Sequence, residues 1–73
     1  MEGEVVRKFE KGFVVRVRGY APSGFREFVF HRGRRVGVVR RVFGPVDRPY
    51  LYVEGEFPGV GEKVEVRVWR RGR

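Results

Sequence analysis

Few residues of this chain can do covalent or acid-base chemistry. Cysteine is absent and histidine occurs once, so neither a thiol nucleophile nor the usual zinc and iron-sulfur ligand sets can be assembled. His31 has no nucleophile beside it in sequence; the only serine, Ser23, lies in another loop, and a solvated turn position is the expected role of the histidine. Asp47 is a lone carboxylate between Val46 and Arg48 in a proline-bracketed loop, a setting for capping a turn or pairing with an arginine rather than for general-base work. Glu54 and Glu56 flank Gly55 as the polar end of a hairpin. Gly37 and the other glycines lead into no helix, so they form no phosphate cradle. These residues point away from an enzyme: no catalytic group, metal, cofactor or small-molecule substrate is expected.

The chemistry the chain does offer is electrostatic. Its 73 residues carry 17 Lys+Arg against 9 Asp+Glu, a formal charge of +8, and 14 of the basic residues are arginine. Arginine grips phosphates through a planar fork, and each phosphate neutralised adds sequence-independent, salt-sensitive affinity. Arg32, Arg34 and Arg35 surround one turn, Arg40 and Arg41 follow on the next strand, and Arg70 and Arg71 lie near the end; these seven are the candidates for proximity to RNA. The ordinary structural role for such charge is solubility, with Glu2, Glu4, Glu62 and Glu65 forming cross-strand pairs. Phe25, Phe28, Phe30, Tyr50, Tyr52 and Trp69 are candidate base-stacking residues, which keeps a direct RNA-binding barrel of ribosomal or cold-shock-like type in view. A domain this small needs most of its large side chains for its core, however. Apolar residues on both faces of the Phe25 to Phe30 segment suggest that one face is covered by a protein partner.

The elements that must position these residues are short. Eleven Gly and four Pro leave no stretch long enough for a long helix, and the segments between them are rich in Val, Phe and Tyr. Phe13, Val15 and Val17 alternate with Val14, Arg16 and Arg18; Val64, Val66 and Val68 alternate with Lys63, Glu65, Arg67 and Trp69. Both patterns are period-two strands. Six strands are predicted, over Glu4 to Phe9, Phe13 to Arg18, Phe25 to Phe30, Arg35 to Phe43, Tyr50 to Glu54 and Lys63 to Trp69, with a loop from Tyr20 to Gly24. His31 to Arg34 is a tight hairpin with Gly33 at positive φ. Gly44 to Pro49, with two prolines in six residues, is a stiff loop. An all-β single domain over 1–73, a small closed six-stranded β-barrel, satisfies this spacing and removes exposed sheet edges. Only Met1 to Gly3 and Arg70 to Arg73 are expected to be loose.

The longest charge-free stretches, Gly19 to Phe25 and Pro49 to Val53, are far short of the roughly 20 apolar residues of a membrane span, and no signal-like apolar run follows Met1. A soluble cytoplasmic protein with no membrane association is expected. The absence of Asn and Gln beside abundant charge suggests a hot habitat.

The segment from Gly37 to Val53, Gly-Val-Val-Arg-Arg-Val-Phe-Gly-Pro-Val-Asp-Arg-Pro-Tyr-Leu-Tyr-Val, resembles the signature of the Gar-type subunit of H/ACA ribonucleoproteins, a Gly-x-Val strand running into Phe-Gly-Pro-Val-x-x-Pro-Tyr. Gly12 to Arg16 also looks like that family's second strand, and the similarity extends from about Glu4 to Val68. The resemblance implies a six-stranded barrel related to the second domain of translation elongation factors. It further implies a non-catalytic subunit that docks on the pseudouridine synthase catalytic subunit, restrains the loop covering substrate RNA, and meets the guide RNA of the particle mostly indirectly. Phe43, Gly44, Pro45, Val46, Pro49 and Tyr50 carry over as the docking loop. The Tyr20 to His31 region departs from the family's usual segment, and the absence of glycine-arginine-rich tails suits a minimal archaeal form. A related ribonucleoprotein assembly factor shares the same barrel.

Overall fold

A computed structural model describes residues 1–18 and 26–69. They form β1 (Glu2–Phe9), β2 (Gly12–Val17), β3 (Arg26–His31), β4 (Arg34–Phe43), β5 (Tyr50–Gly55) and β6 (Lys63–Trp69). The strands are antiparallel neighbours in the order β1-β2-β5-β4-β3-β6, and β6 returns to β1 to close the barrel. The chain is therefore all-β, and no helix of the described residues is long and apolar enough to cross a membrane. The predicted Tyr20 to Gly24 loop, Phe25, Arg70 and Arg71 lie outside the described residues, as does the Trp69 side chain.

Alternation builds the interior. Phe13, Val15 and Val17 of β2 point inward with Val5, Val29, Leu51, Val53, Val64 and Val66, and Val36, Val39, Val42 and Phe57 pack around them. Full burial of such a side chain is worth about 1.5–3 kcal/mol. Phe57, from the β5–β6 connection, sits 6.4 Å from the Phe13 ring and helps fill the barrel from one end. Strand alternation gives no hint of it, because it belongs to no strand. Of the apolar residues expected on both faces of β3, Phe28 and Phe30 face outward while Val29 enters the core.

The start of the chain is not loose. Met1 donates its amino group to the Val66 carbonyl at 3.1 Å and accepts from the Val66 amide at 2.6 Å, and Glu2 and Gly3 pair with Glu65 and Val64. Closure is the reason: β6 would otherwise end the sheet with unpaired amides, and the first residues supply the partner strand.

The β3–β4 hairpin turns through Arg32 and Gly33, with φ of 55° and 80°. Positive φ at both central residues is the geometry whose twist matches paired strands. Three register shifts interrupt the ladders. The extra residues are Val6 on β1, Val36 opposite the Val29/Phe30 step of β3, and Arg40 on β4. Each such bulge advances the chain by one residue without a partner and so exchanges the two faces of everything after it.

Candidate functional site

Two of these bulges decide which aromatic rings reach the surface. Val5 of β1 faces the core, and unbroken alternation would send Arg7 and Phe9 inward after it. The bulge at Val6 turns both outward instead, with Arg7 opposite Val14 and Phe9 opposite Gly12. Val39 of β4 pairs with the core residue Val53, and unbroken alternation would bury Phe43 as well. The bulge at Arg40 puts Arg41 opposite Tyr52, Val42 opposite Leu51 and Phe43 opposite Tyr50, so Val42 packs on the core and Phe43 turns out.

The outward side chains line up in rows across the strands. One row runs Arg7, Val14, Tyr52, Arg41 over β1, β2, β5 and β4; the next runs Lys63, Glu4, Arg16, Tyr50, Phe43 from β6 to β4. Their aromatic end is a connected cluster. Phe43 stacks on Tyr50 with centroids 5.7 Å apart and planes at 27°; Phe9 meets Tyr52 edge-on at 5.8 Å, and the Arg7 guanidinium lies 5.3 Å from the Phe9 ring centre. Phe43 is 44% and Phe9 40% exposed, while Val14 is buried between Arg7 and Tyr52. Open depressions of about 440 and 360 Å³ lie on this face and share Phe9 and Phe43 in their walls. The cluster is thus an exposed group of aromatic rings rimmed by Arg7, Arg16 and Arg41.

The Gly44 to Pro49 loop leaves the same edge. Gly44 has φ of 94°, and a Cβ there would come within 2.7 Å of Tyr50 Cδ2, so only glycine lets the chain turn beside the Phe43–Tyr50 stack. Pro49 is buried and its carbonyl accepts from the Val17 amide at 3.2 Å, anchoring the far end of the loop to β2. Between these anchors Val46 is 93% exposed. Asp47 is also exposed and forms no ion pair among the described residues, contrary to the expected turn or arginine partner. The six residues Phe43, Gly44, Pro45, Val46, Pro49 and Tyr50 are thus brought together. Phe9, Val14 and Tyr52 extend the surface from β1, β2 and β5. Period-two reading places Phe9 on the wrong face, and only the unusual Val-Val-Arg-Lys-Phe run hints that alternation breaks there.

The arginines expected near RNA are largely occupied. Arg34 donates to Glu56 at 2.9 Å and Arg40 Nε to Glu54 at 2.7 Å; Arg32 stands 3.9 Å from Glu62. Arg35 lies over the Phe28 ring at 4.9 Å and Arg67 over Phe30 at 4.8 Å. Among that expected set, Arg41 keeps an exposed guanidinium beside Phe9, Phe43 and Tyr52. His31 is the last residue of β3 rather than a solvated turn residue. Its Nε2 lies 2.8 Å from Glu62 Oε1; the carboxylate accepts, which places a proton on Nε2. That hydrogen bond, opposed by desolvation and aided by the electrostatic attraction of His31 and, less, of Arg32, holds the Glu62 carboxyl below its ordinary pKa. Glu65 is lowered in the same way by Arg67. Among the described residues no group of three His, Asp or Glu is arranged to hold a metal ion. Comparison with protein-family models and with curated proteins finds no match to this chain.

Proposed function

We propose that this barrel is a non-catalytic accessory subunit of an archaeal H/ACA RNA-guided pseudouridine synthase. It docks on the catalytic subunit and aids placement of substrate RNA and turnover of product in ribosomal RNA modification, and hence in ribosome biogenesis. The observation that carries this reading is the exposed Val46 on a proline-bounded loop that leaves the Phe43–Tyr50 stack, in the segment that resembles the Gar-type signature. A loop held by Pro45 and Pro49 loses little entropy on association, and an aromatic pair beside an exposed valine is the composition of an interface anchor.

The competing reading, a barrel that stacks RNA bases directly, is less well supported. Phe28 and Phe30 each lie under a guanidinium, so a base would have to displace Arg35 or Arg67 before it could stack. The test mixes the purified protein with the synthase catalytic subunit without RNA. Co-elution as a stable complex in gel filtration is expected, and separate elution refutes the proposal. Pro45→Ala and Tyr50→Ala are expected to weaken synthase binding more than RNA affinity; equal effects on both would contradict a distinct protein-docking face.

A further inference from the structure

The row that ends in Tyr50 and Phe43 begins, at its other end, in charge. Lys63, Glu4 and Arg16 stand side by side on β6, β1 and β2, and one carboxylate serves both cations at loose distances, 3.5 Å to Arg16 and 3.9 Å to Lys63. Beyond them Glu2, Arg18 and, from the Gly44 to Pro49 loop, Arg48 complete a cleft of about 320 Å³. Its charged lining comprises four cations and two carboxylates. Arg18 and Arg48 are exposed, and neither forms an ion pair or lies over a ring among the described residues, unlike Arg16, Arg32, Arg34, Arg40 and Arg67, which each have a carboxylate within 4.0 Å. Idle guanidinium forks beside a half-neutralised pair are suited to an anion. Among the described residues the only apolar side chain in the lining is Val17, a core residue, so within that set the cleft has neither the apolar anchor of a protein hot spot nor a ring on which a base could stack.

We infer that this cleft, between β1, β2, β6 and the Gly44 to Pro49 loop, binds the phosphodiester backbone of an RNA strand through Arg18 and Arg48, with Arg16 and Lys63 in support. Phosphate recognition follows from the charge and the donors and does not depend on docking to a synthase; that the strand is RNA rests on the functional reading above. The contact is to phosphates, which position a strand and carry no base sequence directly. Arg16 lines both this cleft and the aromatic face, so a strand held here would pass along the edge of the docked partner.

The test measures binding of a single-stranded RNA oligonucleotide over a salt series, for the unaltered protein, Arg18→Ala/Arg48→Ala and Arg34→Ala/Arg40→Ala. The two variants lose the same formal charge. Each phosphate contact contributes about 0.7 to the slope of log K against log salt for a single strand, so losing two in the cleft lowers its magnitude by about 1.4. The Arg34→Ala/Arg40→Ala variant is expected to keep nearly the full slope. Equal slopes for both variants, or no change in the cleft variant, overturn the assignment. Glu4→Gln should raise RNA affinity more than the same charge change at Glu56→Gln, and a fall or no difference argues against the site. Polyglutamate that displaces the RNA as effectively as free RNA does would assign the cleft to an acidic polypeptide instead. Thermal unfolding verifies that the variants fold. Gel filtration with the synthase separates the two proposals, because Arg18→Ala, which lies outside the docking loop, should still co-elute if docking is correct while its RNA salt slope falls by about 0.7.

Discussion

Gly44 is where the loop, the aromatic stack and the backbone meet, and its replacement by alanine can be worked through. Its φ of 94° lies in the region that side chains disfavour, which costs about 1–2 kcal/mol for an L-residue. The new Cβ would also stand 2.7 Å from Tyr50 Cδ2, closer than real contacts allow, so the ring must swing away. Phe43 lies 5.7 Å from that ring, and loss of such a pair forfeits about 0.5–1.5 kcal/mol. Gly33→Ala isolates the first effect, because Gly33 has φ of 80° and nothing within 4 Å of the position a Cβ would take. Urea unfolding should therefore show a loss of about 1–2 kcal/mol for Gly33→Ala and about 1.5–3.5 kcal/mol for Gly44→Ala. A domain of this length has roughly 4–11 kcal/mol in total, so both variants remain folded and measurable. Near-ultraviolet circular dichroism of the tyrosines should change for Gly44→Ala alone. Equal losses in the two variants, or a smaller loss at Gly44, would refute the claim that glycine is required there to accommodate the Tyr50 ring.

Three other perturbations have definite outcomes. Because the folded-state pKa of Glu62 lies below its ordinary 4.5, the stabilisation from its His31 partner is complete above that pH and is lost as pH falls through the lowered value; melting temperature should drop more steeply below pH 4.5 in the unaltered protein than in Glu62→Gln, and parallel curves would disprove the linkage. Arg32→Asn should stabilise the hairpin by about 0.5–1 kcal/mol in urea, since asparagine tolerates the φ of 55° and the exposed contact to Glu62 at 3.9 Å offsets little; a loss would show that the turn strain is not real. Val46→Asp should leave unfolding within about 0.5 kcal/mol while weakening synthase binding at least tenfold, about 1.4 kcal/mol, in titration calorimetry; unchanged affinity would remove the loop tip from the interface.

The barrel was readable from the chain because its signals are local. The alternations of β2 and β6, the Arg32-Gly33 turn and the run of glycines and prolines each operate over a few residues, and strand limits agree with expectation to within two positions. The Phe43 to Tyr50 loop was readable as a motif. The direction of its rings was not, since whether Phe43 turns into the core or out to solvent depends on Arg40 having no partner on β5, and whether Phe9 does so depends on Val6 having none on β2. The tied-down Met1 and the Phe57 plug likewise depend on barrel closure rather than on their own neighbours in sequence.

Charge shows the same division. Composition alone establishes that the chain carries +8, mostly as arginine, and that no thiol or cluster of histidines is available for chemistry. Which arginines remain available to a partner is decided by pairing across strands: Arg34 and Arg40 find carboxylates on or just after β5, Arg35 and Arg67 find rings on β3, and Arg18 and Arg48, thirty residues apart, meet in one cleft. Periodicity and composition are properties of short stretches of chain and can be read in order. Register, bulge position and ion pairing are set by contact between distant stretches, and only the closed barrel brings those stretches together.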